Sequence, residues 1–332
     1  MKTTIFSTIV LLTAFTTAKA VDPNTVVVSY SGSQATVTIA SNISSYVTVK
    51  SSGSHVKLVQ SPQFTGINAN ADNEDGEIFY ILTGSSTDGE FYLEGSYKCS
   101  LQLNGLTLTN PSGPAINIQN GKRVEVSVKK GTTNTLADGA NDAYKGCFHC
   151  KGHTKFKGKG VLNIVGNSHH AIYSDEYLEV KNATINVNAA QKDGIHCGEY
   201  FLMESGTLSI SGVADDGIQV TIEGDTPTGI TPKHEDENTG NFYMTDGTLN
   251  ISSYGGKAIK ADGTITYEGG KQNFNTADVQ ANVFAGISPV SLTRGQRFTQ
   301  LFDLLGRPVS AARPGTLLLL RQNGKTVKKI SR

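Results

Sequence analysis

Three aspartates carry the clearest chemistry in the chain. Lys192-Asp193-Gly194-Ile195 and Asp215-Asp216-Gly217-Ile218 repeat one motif 23 residues apart. If the two copies stack, Asp193, Asp215 and Asp216 meet at one corner, about 5 Å apart, the spacing of neighbouring strands. Carboxylates that close repel, and their pKa values rise unless a cation lies between them. An oxygen-rich corner suits Ca2+, which takes about six to eight oxygen ligands. Gly194 and Gly217 would let backbone carbonyls turn toward such an ion. Asp-Gly is also ordinary turn chemistry that needs no ion. Asp175 and Asp262, each three residues after an apolar anchor, are lesser candidates, and Asp138 and Asp142 share a loop that could reach a second ion.

A second candidate set follows the anchors. The position after each anchor carries Asn117, His149, Tyr173, His196, Gln219 and Lys260. With Lys192 beside it, this stripe of rings and hydrogen-bonding groups would lie along an extended glycan; equally, it reads as a solvated face of mixed polarity. Cys147-Phe-His-Cys150 has the C-x-x-C spacing of a zinc site, but the chain offers no second ligand pair to complete it. With Cys99 and Cys197, these thiols read better as core residues.

The elements that position these residues come from an internal repeat. Leu162-Asn-Ile164, Ile185-Asn-Val187, Leu208-Ser-Ile210 and Leu249-Asn-Ile251 start 23, 23 and 41 residues apart. Ile172, Ile195, Ile218 and Ile259 follow them at a constant offset, and a third apolar element precedes them at Leu178, Phe201 and Phe242. The longer interval holds an insertion from about Thr221 to Asn238. Three short alternating strands per period predict an all-β fold, a right-handed parallel β-helix. A propeller blade needs about 40 residues or more, and the leucine-rich signature is absent. Ile116, Phe148, Ile172, Ile195, Ile218 and Ile259 should form one interior stack. Cys150, Ser174 and Cys197 should form another, with the two thiols two coils apart and too far to bond. Asn163, Asn186, Ser209 and Asn250 should make an outward polar ladder.

Composition agrees. The 332 residues include 36 Gly, no Trp and 17% charged residues, which argues against helical bundles and doubly wound α/β folds. The zero net charge hides a split: residues 21–285 hold 18 Lys and Arg against 28 Asp and Glu, and residues 286–332 hold nine against one. An acidic body excludes nucleic acid as a partner. The first 20 residues, with Lys2, an apolar run and Ala18-Lys-Ala20, have the order of a secretory signal. No later segment reads as a transmembrane helix. Residues 1–20 are thus read as an export signal, 21–76 as an N-terminal β cap, 77–272 as the β-helix, 273–285 as a linker and 286–332 as a small C-terminal antiparallel β domain.

Two resemblances refine this. Gly113-Pro-Ala-Ile-Asn-Ile118, Gly121-Lys-Arg123 and Gly131-Thr-Thr-Asn-Thr-Leu-Ala-Asp-Gly139, with the later Asp-Gly-Ile turns, resemble the carbohydrate-binding, calcium-dependent parallel β-helix domain of exported bacterial proteins. That family is pectate-lyase-like and non-catalytic. The likeness implies Ca2+ held by Asp193, Asp215 and Asp216, and a polysaccharide partner, polygalacturonate or cellulose-like. His169-His-Ala-Ile172 and Gly256-Lys-Ala-Ile259 depart from the family's Asp-Gly-Ile pattern. The tail, Leu301-Phe-Asp-Leu-Leu-Gly-Arg307, Arg313-Pro-Gly-Thr-Leu-Leu-Leu-Leu-Arg321 and Gly324-Lys325, resembles the C-terminal sorting domain of the type IX secretion system. It implies a Bacteroidetes-type bacterium, type IX secretion machinery as a partner, and an outer-membrane surface or extracellular location.

The expected function is a secreted, calcium-binding carbohydrate-binding protein without catalysis. A pectin-degrading enzyme on the same fold is the alternative. A lyase needs a strong base, and Arg123, the one Arg between Val21 and Ala285, lies several coils from the aspartates; Lys192 and Lys260 are the other options. A polygalacturonase needs paired carboxylates; its Gly-His-Gly element is missing and only Ala258-Ile-Lys260 is similar to its Arg-Ile-Lys. A surface adhesin is the third reading.

Overall fold

The computed structural model describes residues 21–69, 75–141, 143–224, 227–230, 234 and 237–281, and three strands within residues 300–330. The export segment 1–20 and the turns expected at Arg307-Pro308 and Asn323-Gly324 lie outside the described residues.

From Thr25 to Ala281 the chain winds as a parallel β-helix with three walls. In a central coil, Leu178–Lys181, Thr184–Ala190 and Ile195–Cys197 each pair in parallel with their equivalents one coil earlier and one coil later. In the first coils two walls are carried by single long strands, Ile78–Ser86 and Cys99–Asn110. Each must bend without breaking its ladder. Gly84 (φ +85) and Gly105 (φ +70) sit where they bend, in the left-handed region that costs glycine nothing. At Gly84 a Cβ would lie 2.1 Å from the Tyr30 carbonyl oxygen.

The expected columns are present. Ile116, Phe148, Ile172, Ile195, Ile218 and Ile259 stack in register and are fully buried. The register continues to Phe91 and Val56 at one end and to Val279 at the other. Cys150, Ser174 and Cys197 stack beside them, and all four cysteines are free and buried. Ser174 is tolerated there because its hydroxyl donates to the Gly152 carbonyl at 2.9 Å and meets Thr154 Oγ1 at 2.9 Å. The outward ladder is also present: Asn186 Nδ2 donates to Asn163 Oδ1 at 2.9 Å and Asn250 Nδ2 to Ser209 Oγ at 3.0 Å.

Both ends of the helix extend further than the sequence pattern suggests. Thr25–Ser31 pairs in parallel with Ile78–Ser86, and His55–Gln60 with Glu90–Glu94, so residues 21–76 already form a coil. Only Gln34–Ile39 and Val47–Ser52 run antiparallel, each folded back as a hairpin over the edge. At the other end Lys271–Asn273 and Val279–Ala281 make a last coil inside the expected linker. The tail strands Gln300–Phe302, Leu317–Gln322 and Lys325–Ile330 form a separate antiparallel sheet, as their alternation requires. Among the described residues no helix is long and apolar enough to cross a membrane.

Ile195 lies mid-column with coils on both sides, so a truncated side chain there cannot be backfilled. Ile195→Ala should cost about 2–5 kcal/mol, read as a lower urea midpoint at an unchanged m value.

Candidate functional site

The turn entering the third wall builds the site. Its residues repeat in one column, His170, Asp193, Asp216 and Lys257, and each side chain serves the next coil. Asp193 N–H donates to His170 Nδ1 at 3.1 Å, Asp216 N–H to Asp193 Oδ1 at 3.0 Å and Lys257 N–H to Asp216 Oδ1 at 2.6 Å. These caps satisfy backbone donors that the turn leaves unpaired.

The second oxygens differ. Asp193 Oδ2 lies 3.2 Å from His170 Nδ1 and 3.1 Å from His196 Nδ1. Burial pushes the Asp193 pKa up, but hydrogen bonds from His170 and His196 outweigh it and hold the carboxylate well below its ordinary value. Burial likewise pushes His170 down, against the pull of Asp193. Asp216 Oδ2 is buried without a hydrogen bond, and Lys260 Nζ stands 3.4 Å away. The Asp216 pKa is accordingly raised, first by burial and also by Asp193 and Asp215. Asp215 is exposed, and one carboxylate oxygen from each of the three aspartates falls within 4.8 Å of the others.

The structure thus brings Asp193, Asp215 and Asp216 together and leaves Asp175 out. Asp175 stands past the other end of its strand, where its backbone N–H donates to the Cys150 carbonyl at 2.9 Å. The two motif glycines have a different purpose from the one expected. The Gly194 and Gly217 carbonyls accept from Ile172 and Ile195 N–H at 3.1 Å each, so neither turns to an ion. Both glycines are needed for close approach: a Cβ on Gly217 would lie 2.5 Å from the Ala258 carbonyl and 2.6 Å from Ile251 Cγ2.

The glycan stripe is in register along the third wall, Asn117, His149, Tyr173, His196, Gln219 and Lys260. Its rings do not offer open faces. His149 stacks on Tyr173 with centroids 5.3 Å apart and planes 10° apart, and Tyr173 meets His196 at 5.3 Å. Tyr144 packs edge-on against His149, and Lys145 Nζ donates to Tyr173 Oη at 2.8 Å. Asn117 is fully buried and His149 and Tyr173 are nearly so, while Gln219 and Lys260 are half-buried and Lys192 is exposed. A sugar would meet ring edges and amide groups, not a stacking platform. Burial holds His149 neutral by lowering its pKa to about 4.

Sequence reasoning missed one cluster. His153, Glu176 and Glu199 follow each other at the 23-residue period, the signal that would have found them. His153 Nε2 lies 2.7 Å from Glu176 Oε2 and 3.3 Å from Glu199 Oε2. The imidazole stacks on Tyr177 at 4.1 Å and 11°.

Comparison with known proteins agrees with this geometry. The family model for carbohydrate-binding domain-containing proteins matches residues 67–300. The chain belongs to that family. No curated protein matches it. Among solved structures, a polysaccharide lyase-like protein from C. thermocellum, studied as a gadolinium derivative, is similar at 17% identity with a TM-score of 0.54. The match covers 77% of this chain and 99% of that one. At that identity the likeness establishes the shared fold. The carbohydrate-binding domain carries its candidate groups on one wall and its two turns.

Burial lowers the His153 pKa, but hydrogen bonds to Glu176 and Glu199 outweigh it and carry the value from 6.5 up to about 9. A folded pKa above the unfolded one stabilises fully below the unfolded value and is lost as pH rises through the folded one. In chelator-containing buffer the protein should lose stability between about pH 6.5 and 9. His153→Ala should flatten that limb in a Tm-against-pH series.

Proposed function

We propose that this protein is an exported, calcium-dependent binder of acidic or plant-type polysaccharide that works without catalysis. One observation carries the reading: Asp216 Oδ2, a buried oxygen with no hydrogen bond, sits in an all-oxygen corner beside the polar stripe. Asp215 and Asp216 would hold the ion, with Asp193 as third ligand at the expense of a histidine contact. Bound calcium would supply positive charge for a uronate carboxylate. Lys260 and Lys192 draw the same carboxylate toward the wall, and the edges of His196 and Gln219 hydrogen-bond sugar hydroxyls.

Two points support binding over cleavage. Arg123, the candidate lyase base, is committed to Glu77 at 2.9 Å and Asp75 at 3.2 Å. Lys260, the other base, faces the Asp216 carboxylate at 3.4 Å, which favours its charged form. Export rests on residues 1–20, and type IX sorting to the surface on the antiparallel tail unit and its basic charge.

Calcium titration and pull-down on polygalacturonate and cellulose, with and without chelator, test the reading on the full chain. Calcium-dependent retention is expected, and Asp216→Asn should weaken calcium binding by about tenfold or more. Unsaturated product released from polygalacturonate would make the corner catalytic. No retention at all would favour an adhesin with a protein partner. Deleting residues 286–332 should abolish surface display in the native host, followed by cell fractionation.

A further inference from the structure

Beyond the aspartate corner, at the opposite turn of the same wall, the 23-residue repeat places like charges on successive coils a second time. Glu176 and Glu199 occupy equivalent positions, and between them stands one imidazole, His153. Two carboxylates against one imidazolium leave the cluster one negative charge in excess. Its neighbours add to that excess. Glu223 Oε2 lies over Gly198, where a Cβ would be only 3.2 Å from it. Its carboxyl pKa is raised, first by burial and next by Asp175, with Glu199 and Glu176 contributing.

We infer that His153 Nε2, Glu176 and Glu199 form a binding site for one divalent transition-metal ion of the zinc class. Ligand atoms around a tetrahedral ion at about 2.0–2.1 Å lie roughly 3.4 Å apart. The observed separations from Nε2 are 2.7 and 3.3 Å, and all three ligand atoms fall within 4.8 Å of one another, so small rotations open the space. Glu176 Oε2 is a buried oxygen that makes no hydrogen bond, and its contact with the imidazole is ionic. The side chains of His153, Glu176 and Glu199 are 33%, 26% and 20% exposed, which leaves an ion a way in. Stacking on Tyr177 fixes the ring plane, as outer contacts commonly do for metal-bound histidine. One nitrogen and two carboxylates suit zinc or manganese better than calcium, which prefers oxygen alone. On binding, the ion replaces the imidazole proton, which leaves to solvent. Two carboxylates, a neutral imidazole and a divalent ion then balance.

The His170–Asp193–His196 group has as many nitrogens but is less suited. Asp193 Oδ1 already accepts from Asp216 N–H, Oδ2 meets both imidazoles, and His170 Nδ1 takes the Asp193 N–H.

The test is titration of the chelator-stripped full chain with Zn2+ alone by calorimetry, repeated with Co2+ and read by its visible absorption. Wild type should bind one ion at this site. His153→Gln and Glu199→Gln should each weaken it at least about tenfold and abolish the Co2+ bands, with folding checked by circular dichroism. Asp216→Asn should leave zinc binding intact, which separates this site from the calcium corner. No zinc binding by wild type would reduce the cluster to an imidazolium ion pair and overturn the inference. Equal binding by wild type and both variants, or loss on His170→Ala instead of His153→Gln, would also overturn it.

Discussion

Parallel winding sets every residue about 4.8 Å from its own counterpart on the next coil. That self-adjacency governs the molecule. Apolar side chains gain from it, which is why isoleucine fills one column for coil after coil. Amides gain from it through the Asn163–Asn186 and Asn250–Ser209 pairs. Rings gain from it by stacking, as Tyr177 does on Tyr200 with centroids 4.7 Å apart. Charges alone lose, because a repeated carboxylate meets its own sign. The first wall avoids this by alternating: Lys155 pairs with Glu179 at 2.8 Å and Lys181 with Glu204.

Two places break the alternation, and both lie in turns of the third wall. At Asp193 and Asp216 the like charges are eased by backbone caps, two histidines and Lys260. At Glu176 and Glu199 one histidine serves two carboxylates. Ordinary core packing accounts for neither arrangement, so these turns are where chemistry specific to this chain is concentrated. The aspartates are mainly committed to the backbone, whereas the glutamates are mainly committed to a ring.

The sequence pattern was a reliable guide wherever period alone decided the outcome. The isoleucine stack, the buried thiols around Ser174 and the meeting of Asp193 with Asp216 all follow from stacking equivalent positions. It was a poorer guide where coils differ in length. His153 lies over Tyr177, not over Glu176, because the preceding coil has one more residue, and the imidazole then leans across to two carboxylates. It also could not say what covers a wall. The burial of Tyr173 and His149 depends on Tyr144 and Lys145, which belong to a loop outside the repeat. Gly194 and Gly217 illustrate the same limit: their spacing marks a turn, but only packing against Ile210 and Ala258 shows that lack of a side chain matters more than a free carbonyl.

The two reversed hairpins at the N-terminal end have a consequence for assembly. An open parallel ladder is a template: the last coil of one molecule could dock on the first coil of another and extend without limit. Gln34–Ile39 and Val47–Ser52 present strands of the opposite direction, with alternating or continuous exposure and Lys50 among them. A second copy arriving head to tail would find the polarity wrong and a lysine in its path. The fold thereby fixes its own length, and a chain built from a self-complementary repeat avoids becoming the seed of a fibre.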